Sequence, residues 1–446
     1  MGRYLCAVKR YPISRHSFVS SVDGRIIERS EPGIDLGVKI SVPEAEVKRI
    51  GRIIASNINR KPYMKGIGIL DNVTVDLWGK ICSAAELLLK KAALGSPIVV
   101  RFHNDIDGAS GAYALFSALK SLGLDGGWFD VEVNIKWIMN KGVYYRREDA
   151  LSDTMLVRDT ESASKPLLFI IDFGTATASN PGIEEALKTF EIIWLDHHPL
   201  QEGFNGKHLE NYINPWSFGG DSNYTAGFLS CAFSHSFSDS DTSVIEEASL
   251  MGDYSDYSNP TAESEKMAAI LDIITSDPKI AIGRGIEAPT PEHINSILSD
   301  SGKSSELYFY ATSKMSEMVD RAIPRLKKVS AGDAKIYTLD FEPIKIEETR
   351  YPLPGRFGSR LLSEISKGKG SVLILYSGPY ISVRVTKDIS ARLKLLRIIS
   401  AIKESEPDVV EDGGGHEAAA SIKLRDKNFR REVAAALIKQ IKEGLE

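Results

Sequence analysis

The sequence predicts an α/β protein of two lobes, and three features of the 446-residue chain support that fold class. Short apolar runs alternate with helical stretches between residues 98 and 195, which is typical of parallel βαβ units. Residues 243–330 have a helical pattern, and strand-like runs return from residue 331. Two or three domains are expected at this length. We therefore expect a parallel-sheet domain and a smaller α/β domain, joined by a helical segment.

The predicted segments follow these changes of pattern. Short β-like pieces begin the chain, and Asp23-Gly24 between apolar residues predicts a hairpin. A capping box at residues 83–86 predicts the start of a helix that leads into the first α/β domain. The four segments are an N-terminal extension (1–80), a parallel-sheet domain (81–260), a helical connector (261–330) and a second α/β domain (331–446).

Individual elements are predicted from apolar runs and from helical spacing. In the first domain we predict strands at 98–102, 131–135, 167–171 and 192–195, and helices at 109–122 and 183–190. In the connector we predict helices at 262–275 and 304–321. In the second domain we predict strands at 334–338, 371–376, 380–385 and 418–424, and a closing helix at 428–445.

Composition narrows the class of protein. The net charge of −5 is not typical of a nucleic-acid-binding protein, although a carboxylate-rich metal centre counts as negative until its cations are bound. The three cysteines form no CxxC pair, which argues against a disulfide scaffold or a zinc ribbon and favours a cytoplasmic location. No run of eighteen apolar residues and no signal-peptide pattern occurs, so we expect no membrane association.

The first chemically informative cluster directly follows the predicted strand 98–102. His103, Asp105 and Asp107 alternate in the sequence, so an extended backbone would point them to one side. Two carboxylates that converge in this way repel each other unless a cation lies between them. The competing interpretation makes Asp107 the N-cap of the next helix, but it explains only one of the three side chains. The alternation therefore favours a metal site.

Two more clusters follow predicted strands. Asp172 comes after the strand 167–171, and Asp196-His197-His198 comes after the strand 192–195. A lone Asp at a strand end is more often a loop or cap residue, but Asp172 lies between the other two clusters and is placed to bridge two ions. Imidazole beside carboxylate suits Mn²⁺, Fe²⁺, Co²⁺ or Zn²⁺ better than Ca²⁺.

Two later clusters complete the pattern. Asp253 lies beside a glycine after a helical run, where it would otherwise be an ordinary helix end, and Asp256 is its local competitor. Gly413-Gly414-Gly415 allows close backbone approach and exposes N–H groups that suit an anion, and His416 adds a proton donor. The alternative for the glycines is a flexible turn before a strand.

Taken in order, these clusters resemble the DHH phosphoesterase superfamily in its DHHA1 branch, over roughly residues 96–260 and 330–446. Its members include RecJ-type single-strand exonucleases, the nano-RNase group and cyclic dinucleotide phosphodiesterases. The resemblance implies two Mn²⁺ ions, with Mg²⁺ or Co²⁺ as alternatives. The implied ligands are His103, Asp105 and Asp172 for one ion, and Asp107, Asp172, His197 and Asp253 for the other, so that Asp172 bridges both.

The resemblance also implies residues that act on the substrate. His198 resembles the phosphate-contacting histidine of the family, and we count it with Asp107 and Asp172 as catalytic. In the second domain the implied substrate contacts are Gly413, Gly414, Gly415 and His416, together with Ser382 and Arg384 of a Ser-x-Arg pattern.

The function implied first is a RecJ-like exonuclease on single-stranded DNA or RNA. The alternatives are an oligoribonuclease or nucleotide phosphatase for short oligonucleotides, and a replication-complex scaffold related to RecJ. Every metal-ligand position is filled by a competent residue, which favours an enzyme, because scaffold members have lost ligands. The N-terminal extension and the connector match no known segment, and they are where a replication or repair protein partner would bind.

Overall fold

The structure is a computed structural model, and it forms two compact units, Met1–Ser304 and Ser305–Glu446. The described residues are 9–14, 17–22, 25–29, 48, 52, 55, 58–59, 72–94, 96–121, 135–158, 160, 164–283, 285–345, 349–367, 370–416 and 418–445. Both units combine helices with a sheet, and the predicted α/β fold class is confirmed. The limit between the units lies inside the predicted connector 261–330.

The first described elements form a three-stranded antiparallel sheet, β1 (Lys9–Ser14), β2 (Ser17–Val22) and β3 (Arg25–Arg29). Val22 pairs with Arg25, so β2 and β3 are joined by two residues, as the hairpin prediction requires. The Asp23-Gly24 turn itself lies outside the described residues.

A five-stranded parallel sheet forms the centre of the first unit, with the strand order β5-β4-β6-β7-β8. Its strands are β4 (Ile98–His103), β5 (Ile135–Asn140), β6 (Leu167–Ile171), β7 (Glu191–Leu195) and β8 (Asn211–Ile213). The helices of this unit are α1 (Asn72–Ala93), α2 (Ile106–Ser121), α3 (Arg147–Val157), α4 (Asn180–Ala186), α5 (Ala226–His235), α6 (Ser243–Gly252), α7 (Ala262–Ser276), α8 (Pro278–Ala281) and α9 (Pro291–Ser299).

Both faces of this sheet are buried, as is usual for parallel sheets. Alternate residues of each strand point to opposite faces, so Val100 packs with α1, α2 and α5 while Val99 packs with α3 and α4. Trp194 is fully buried on the second face. This packing explains the near-continuous apolar runs that predicted the strands.

Two predictions in this unit need correction, and one strand was not predicted. The first helix begins at Asn72 rather than at Ser83, because the apolar spacing continues upstream through buried Leu77 and Ile81, and the predicted boundary after residue 80 therefore falls inside α1. Strand β5 starts where the predicted strand 131–135 ends, and residues 131–134 lie outside the described part of the chain. Strand β8 was not predicted, because three residues give too short a pattern.

The second unit has a six-stranded mixed sheet, ordered β13-β14-β12-β11-β10-β9, in which only the β10–β11 pair is parallel. Its strands are β9 (Lys327–Ala331), β10 (Ala334–Asp340), β11 (Ser371–Ser377), β12 (Tyr380–Val385), β13 (Val410–His416) and β14 (Ala419–Leu424). Its helices are α10 (Ser301–Ala322), which begins just before the unit limit, α11 (Pro354–Ser366), α12 (Lys387–Ser390), α13 (Leu395–Ser405) and α14 (Arg430–Leu445).

The two faces of this second sheet pack against different helices. Helices α12, α13 and α14 cover one face, where Val383 and Ile422 are buried. Helices α10 and α11 cover the other face at β10 and β11, where Leu373 is buried. Among the described residues, no helix is long and apolar enough to cross a membrane.

Candidate metal centre

The candidate site lies at the carboxyl edge of the parallel sheet in the first unit. His103 ends β4, Asp172 follows β6, Asp196 follows β7 and Asn214 follows β8. Because all five strands are parallel, these strand ends meet at one edge, where ligands bind in open α/β sheets. Residues that are far apart in the sequence therefore reach one site.

The segment after β4 is a tight turn into α2, not the extended backbone that the alternation of side chains suggested. Asp105 is the N-cap of α2, since its Oδ1 accepts a hydrogen bond from the Gly108 N–H at 3.0 Å. The turn brings His103 Nδ1 to 2.7 Å from Asp105 Oδ2. A Cβ at Gly108 would lie 2.5 Å from the His103 carbonyl oxygen, so the turn requires glycine.

Asp107 caps a different helix from the one on which it lies. Its carboxylate is fully buried and accepts hydrogen bonds from the first two amides of α5, those of Ala226 at 2.7 Å and Gly227 at 2.8 Å. The Ser249 hydroxyl donates a third hydrogen bond. The N-terminus of a helix stabilises a negative charge, so Asp107 is held in one orientation. The interpretation of Asp107 as the cap of α2 is therefore wrong, because Asp105 has that role.

Asp172 lies at the centre of the site, and it carries the clearest sign of a ligand role. Its side chain is buried, yet neither carboxylate oxygen accepts a hydrogen bond. Three imidazoles approach these oxygens, with His197 Nε2 at 3.4 Å, His103 Nδ1 at 3.7 Å and His198 Nδ1 at 3.9 Å. A buried carboxylate without hydrogen bonds is costly unless a cation binds it.

The backbone of Asp172 is also unusual. Its φ of 69° lies in the left-handed region, which non-glycine residues seldom adopt. The Asp172 N–H nevertheless donates to the Leu195 carbonyl at 2.9 Å, which keeps the residue in register with the end of β7. Such strain is concentrated at functional sites.

His197 is oriented by the backbone of a neighbouring loop. Its Nδ1 lies 2.9 Å from the Ser222 carbonyl oxygen, which can only accept, so Nδ1 carries the proton. Its Nε2 therefore presents a lone pair to the acids, with Asp253 Oδ2 at 3.1 Å and Asp107 Oδ2 at 3.6 Å. This arrangement is typical of metal-ligating histidines, whose second nitrogen donates to a carbonyl or carboxylate.

His198 is oriented by Asp196 rather than by the other acids. Asp196 is fully buried, and its Oδ1 lies 2.7 Å from His198 Nδ1. The same oxygen accepts a hydrogen bond from the backbone N–H of His197 at 2.8 Å. The Thr175 hydroxyl donates to its other oxygen. Burial lowers the pKa of His198, but the charge of Asp196 outweighs it and raises the pKa. His198 is therefore suited to donate a hydrogen bond.

The electrostatics of the cluster favour bound cations. Burial raises the pKa of Asp107 well above its usual value, and the charges of Asp172 and Asp253 add to the effect. Burial and the charge of Asp105 likewise raise the pKa of Asp172. Burial alone would lower the pKa of His197, but the surrounding acids raise it well above its usual value. The cluster would thus hold protons unless divalent cations take their place.

The side chains form ligand sets of the predicted kind. In two sets the donor atoms all lie within 4.8 Å of one another, namely His103, Asp105 and Asp172, and Asp107, Asp172 and His197. Asp253 is placed beside the second set through its 3.1 Å approach to His197. Carboxylate oxygens and imidazole nitrogens suit divalent transition ions, so the residues present fit two cations that share Asp172.

Several residues that support the site were missed by the sequence reasoning. They fix the ligands, or the neighbouring Asp196 and His198, by hydrogen bonds, and they are Thr175, Asn214, Ser222, Ala226, Gly227 and Ser249. Asn214 follows a strand at the same sheet edge, but β8 is too short to be predicted, so this position gave no usable signal. The others act through backbone groups or small hydroxyls, which leave no pattern.

In the second unit the predicted substrate contacts share one face of the sheet. Arg384 pairs with Ala419, which in turn pairs with His416, so the side chains of these residues form one row across β12, β14 and β13. Ser382, two residues from Arg384, faces the same way. The Arg384 Nε donates to the Ser359 hydroxyl at 3.1 Å, which orients the guanidinium.

The glycine run is part of a strand, so the alternative of a flexible turn is wrong. Gly413, Gly414 and Gly415 all belong to β13 and pair with β14. A Cβ at Gly413 would lie 2.9 Å from Ile399, and Gly415 has a φ of 137°, so two of the three positions require glycine for the fold. A Cβ at Gly414 meets nothing within 4 Å, and this residue is exposed.

Comparison with known proteins finds a family match within the first unit. A family model described as the DHH family, N-terminal domain, matches residues 97–249, which include every candidate ligand except Asp253. The predicted resemblance to the DHH superfamily is confirmed over these residues. The match ends before the second unit, whose sheet carries the other predicted contacts.

Individual proteins similar to this chain extend the comparison. An uncharacterized protein of Methanocaldococcus jannaschii is 26% identical over an alignment of length 464. The alignment covers 89% of this chain and 59% of the relative. The chain thus spans about three fifths of the length of that curated relative. A solved DHH domain, described as belonging to a member of a family of ribosomal proteins, has a TM-score of 0.72 at 22% identity, and the match covers 90% of this chain and 98% of the other.

RecJ of Thermus thermophilus, solved in complex with Mn²⁺, has a TM-score of 0.51 at 16% identity. The match covers 90% of this chain and 61% of RecJ. At such identities the likeness shows a shared fold.

Proposed function

We propose that this chain is a metal-dependent phosphoesterase, and more specifically an exonuclease that removes nucleotides from single-stranded DNA or RNA with two Mn²⁺ ions. The observation that carries the proposal is Asp172, a buried carboxylate whose oxygens accept no hydrogen bond and are approached by imidazoles of both ligand sets. The DHH family match over residues 97–249 supports the hydrolytic class. The Mn²⁺ complex of a RecJ of similar fold supports the choice of ion.

The geometry of the first unit supports the proposed ligand roles. His103, Asp105 and Asp172 would hold one ion, and Asp107, Asp172, His197 and Asp253 would hold the other. Two such ions, when bound, supply an activated water and neutralise charge on the phosphoryl group.

The chain itself keeps this ligand set rigid. The α5 amides hold Asp107, and Ser222 holds His197 in the tautomer that presents Nε2. Ligands fixed in advance need no reorganisation when the reaction begins.

His198 would donate a hydrogen bond to a phosphoryl oxygen while Asp196 holds its ring. Removal of a single donor of this kind costs on the order of 10²–10³ in rate. In the second unit, the row of Arg384 and His416, with Ser382 and the exposed Gly414, would bind phosphates of the substrate, because it offers the Arg384 cation and further hydrogen-bond donors on one face.

The test uses single strands of graded length, from two to about thirty nucleotides, end-labelled on either side. After removal of all metal, Mn²⁺, Mg²⁺ or Co²⁺ is added back singly, and the release of mononucleotides is measured. We expect Mn²⁺-dependent stepwise shortening of long strands. Hydrolysis confined to the shortest substrates would replace the exonuclease proposal with an oligoribonuclease, and no hydrolysis with any ion would contradict the phosphoesterase proposal itself.

A further inference from the structure

An exposed aromatic side chain lies directly beside the candidate metal centre. Trp216 belongs to a short 3₁₀ turn, Pro215–Phe218, that follows β8 at the same sheet edge as the ligands. This residue is 39% exposed, although large aromatic residues are normally well buried. Neither ligand set nor the proposed phosphate contacts use this residue.

The ring is held in place by the loop that carries the ligands. Trp216 Nε1 donates to the His197 carbonyl at 3.1 Å and lies 3.2 Å from the Ser222 hydroxyl. Its backbone N–H donates to Asn214 Oδ1 at 2.9 Å, and Asn214 also donates to the His198 carbonyl at 3.1 Å. The indole is therefore fixed through its polar edge to the His197 carbonyl, and the Trp216 backbone is linked through Asn214 to the His198 carbonyl. The apolar part of the ring remains for contact with a ligand.

A second exposed aromatic residue lies next to a candidate ligand of the same site. Tyr254 directly follows the candidate ligand Asp253, is 57% exposed and has a φ of 55°, which bulky residues rarely adopt. The loops of the two aromatic residues are joined by a hydrogen bond. The Ser255 hydroxyl donates to the carbonyl of Asn223 at 2.7 Å, and Asn223 follows Ser222, the residue that Trp216 Nε1 contacts. The side chains of His197 and Asp253 lie 3.1 Å apart. Trp216 is hydrogen-bonded to the His197 carbonyl, and Tyr254 is the next residue after Asp253, so an exposed aromatic residue is attached to each of these two ligands.

We propose that Trp216, together with Tyr254, forms a stacking platform for the nucleobases next to the scissile phosphate. The ligand class is a nucleobase of a single strand, because a base offers a π-face in the absence of a paired strand and stacking on aromatic residues tolerates any sequence. This inference deepens the proposed function, on which it rests, because it explains how an acidic metal site would select a nucleotide rather than another phosphate ester.

The experiment measures equilibrium binding, so it does not depend on turnover. Fluorescein-labelled single strands with phosphorothioate links, which resist hydrolysis, are made with normal bases or with abasic residues at the labelled end. Binding is measured by anisotropy in Mn²⁺ for the whole chain and for Trp216→Leu, Trp216→Phe and Tyr254→Leu. Phe309→Leu is the matched control, since Phe309 is an exposed aromatic residue of the second unit.

For the unsubstituted chain we expect the strand with bases to bind about 5- to 150-fold more tightly than the abasic strand, which is the stacking contribution of roughly 1–3 kcal/mol. Trp216→Leu should reduce this preference to within about twofold, whereas Trp216→Phe, which keeps a ring but loses the N–H, should retain most of it. Tyr254→Leu should reduce the preference partly, and Phe309→Leu should leave it unchanged.

Three results would overturn the inference: no preference in the unsubstituted chain, a preference that survives Trp216→Leu, or an equal loss in Trp216→Phe. The last result would mean that Trp216 acts only by anchoring the loop through its N–H. Elemental analysis of Mn²⁺ in each variant checks that the ligand set is intact. Failure of the proposed function is separate, since it would appear as absence of hydrolysis of an ordinary phosphodiester strand by the unsubstituted chain.

Discussion

At the scale of single residues, the site depends on how each side chain is held. Asp172 has no hydrogen-bond donor of its own, whereas Asp107 has three and Asp196 is contacted by Thr175 and both loop histidines. Asp107 and Asp196 are thus fixed by the protein, while Asp172 depends on cations for its stabilisation. This difference separates the roles of three buried acids that look alike in the sequence.

His198→Ala tests the assignment of His198 to phosphate rather than to metal. The imidazole is oriented by Asp196 and lies 3.9 Å from Asp172, so its loss should leave the Mn²⁺ content unchanged. Alanine removes the hydrogen-bond donor, and we expect kcat to fall by roughly 10²–10³. His208→Ala, at an exposed histidine of the same unit, is the matched control and should match the unsubstituted chain. If Mn²⁺ is lost together with activity in His198→Ala, His198 is a metal ligand instead.

At the scale of elements, the parallel sheet and the N-terminus of α5 carry the site. The sequence predicted the strands that end at His103, Asp172 and Asp196 to within a few residues, because buried parallel strands leave continuous apolar runs. It could not predict that Asp107 would cap α5, because that contact joins residues about 120 positions apart. It also placed Asp107 on an extended backbone, whereas the Asp105 cap and Gly108 turn the chain into a helix there.

Gly227→Ala tests the contact between α5 and Asp107. A Cβ at Gly227 would lie 2.7 Å from the Ser249 side chain and 2.9 Å from the Asp107 carbonyl, so α5 would have to move. We expect weaker Mn²⁺ binding and a lower free energy of unfolding, by about 1–3 kcal/mol. Isothermal titration with Mn²⁺ and denaturant unfolding measure the two effects.

The control for this substitution is Gly79→Ala in the middle of α1. Gly79 is exposed and its Cβ would meet nothing within 4 Å, so alanine should raise the free energy of unfolding by roughly 0.5–1 kcal/mol. Its Mn²⁺ affinity should not change. Equal Mn²⁺ affinity in Gly227→Ala would mean that α5 does not position Asp107 for an ion.

The glycine strand of the second unit allows a similar comparison. Gly414→Val should leave the free energy of unfolding within about 0.5 kcal/mol of the original value, because this exposed position has room for a side chain. It should raise KM for single strands if the strand backbone approaches a phosphate there, without changing Mn²⁺ content. Gly415→Val should instead destabilise the unit, because its φ of 137° disfavours a side chain. An unchanged KM in Gly414→Val would remove the glycine strand from the proposed substrate contacts.

At the scale of the whole molecule, the candidate ligands all come from the first unit, between residues 103 and 253. The order of strand, acid and histidine in that segment was enough to predict the fold class and a metal site. The second unit was harder to interpret, because short antiparallel strands leave weak patterns and the polar row of Arg384 and His416 arises only from their register with Ala419. Register is set by long-range pairing, which the sequence does not display.

The measurement that tests the central claim most directly is the rate of mononucleotide release from a labelled single strand in Mn²⁺, compared between the unsubstituted chain, Asp172→Ala and Asp256→Ala. Asp256 is an exposed acid outside the ligand sets formed by the described residues, so its variant controls for loss of charge. We predict release by the unsubstituted chain and by Asp256→Ala, and a fall in Asp172→Ala to the rate seen in chelator. Full activity in chelator, or undiminished release by Asp172→Ala, would contradict a catalytic centre built around Asp172.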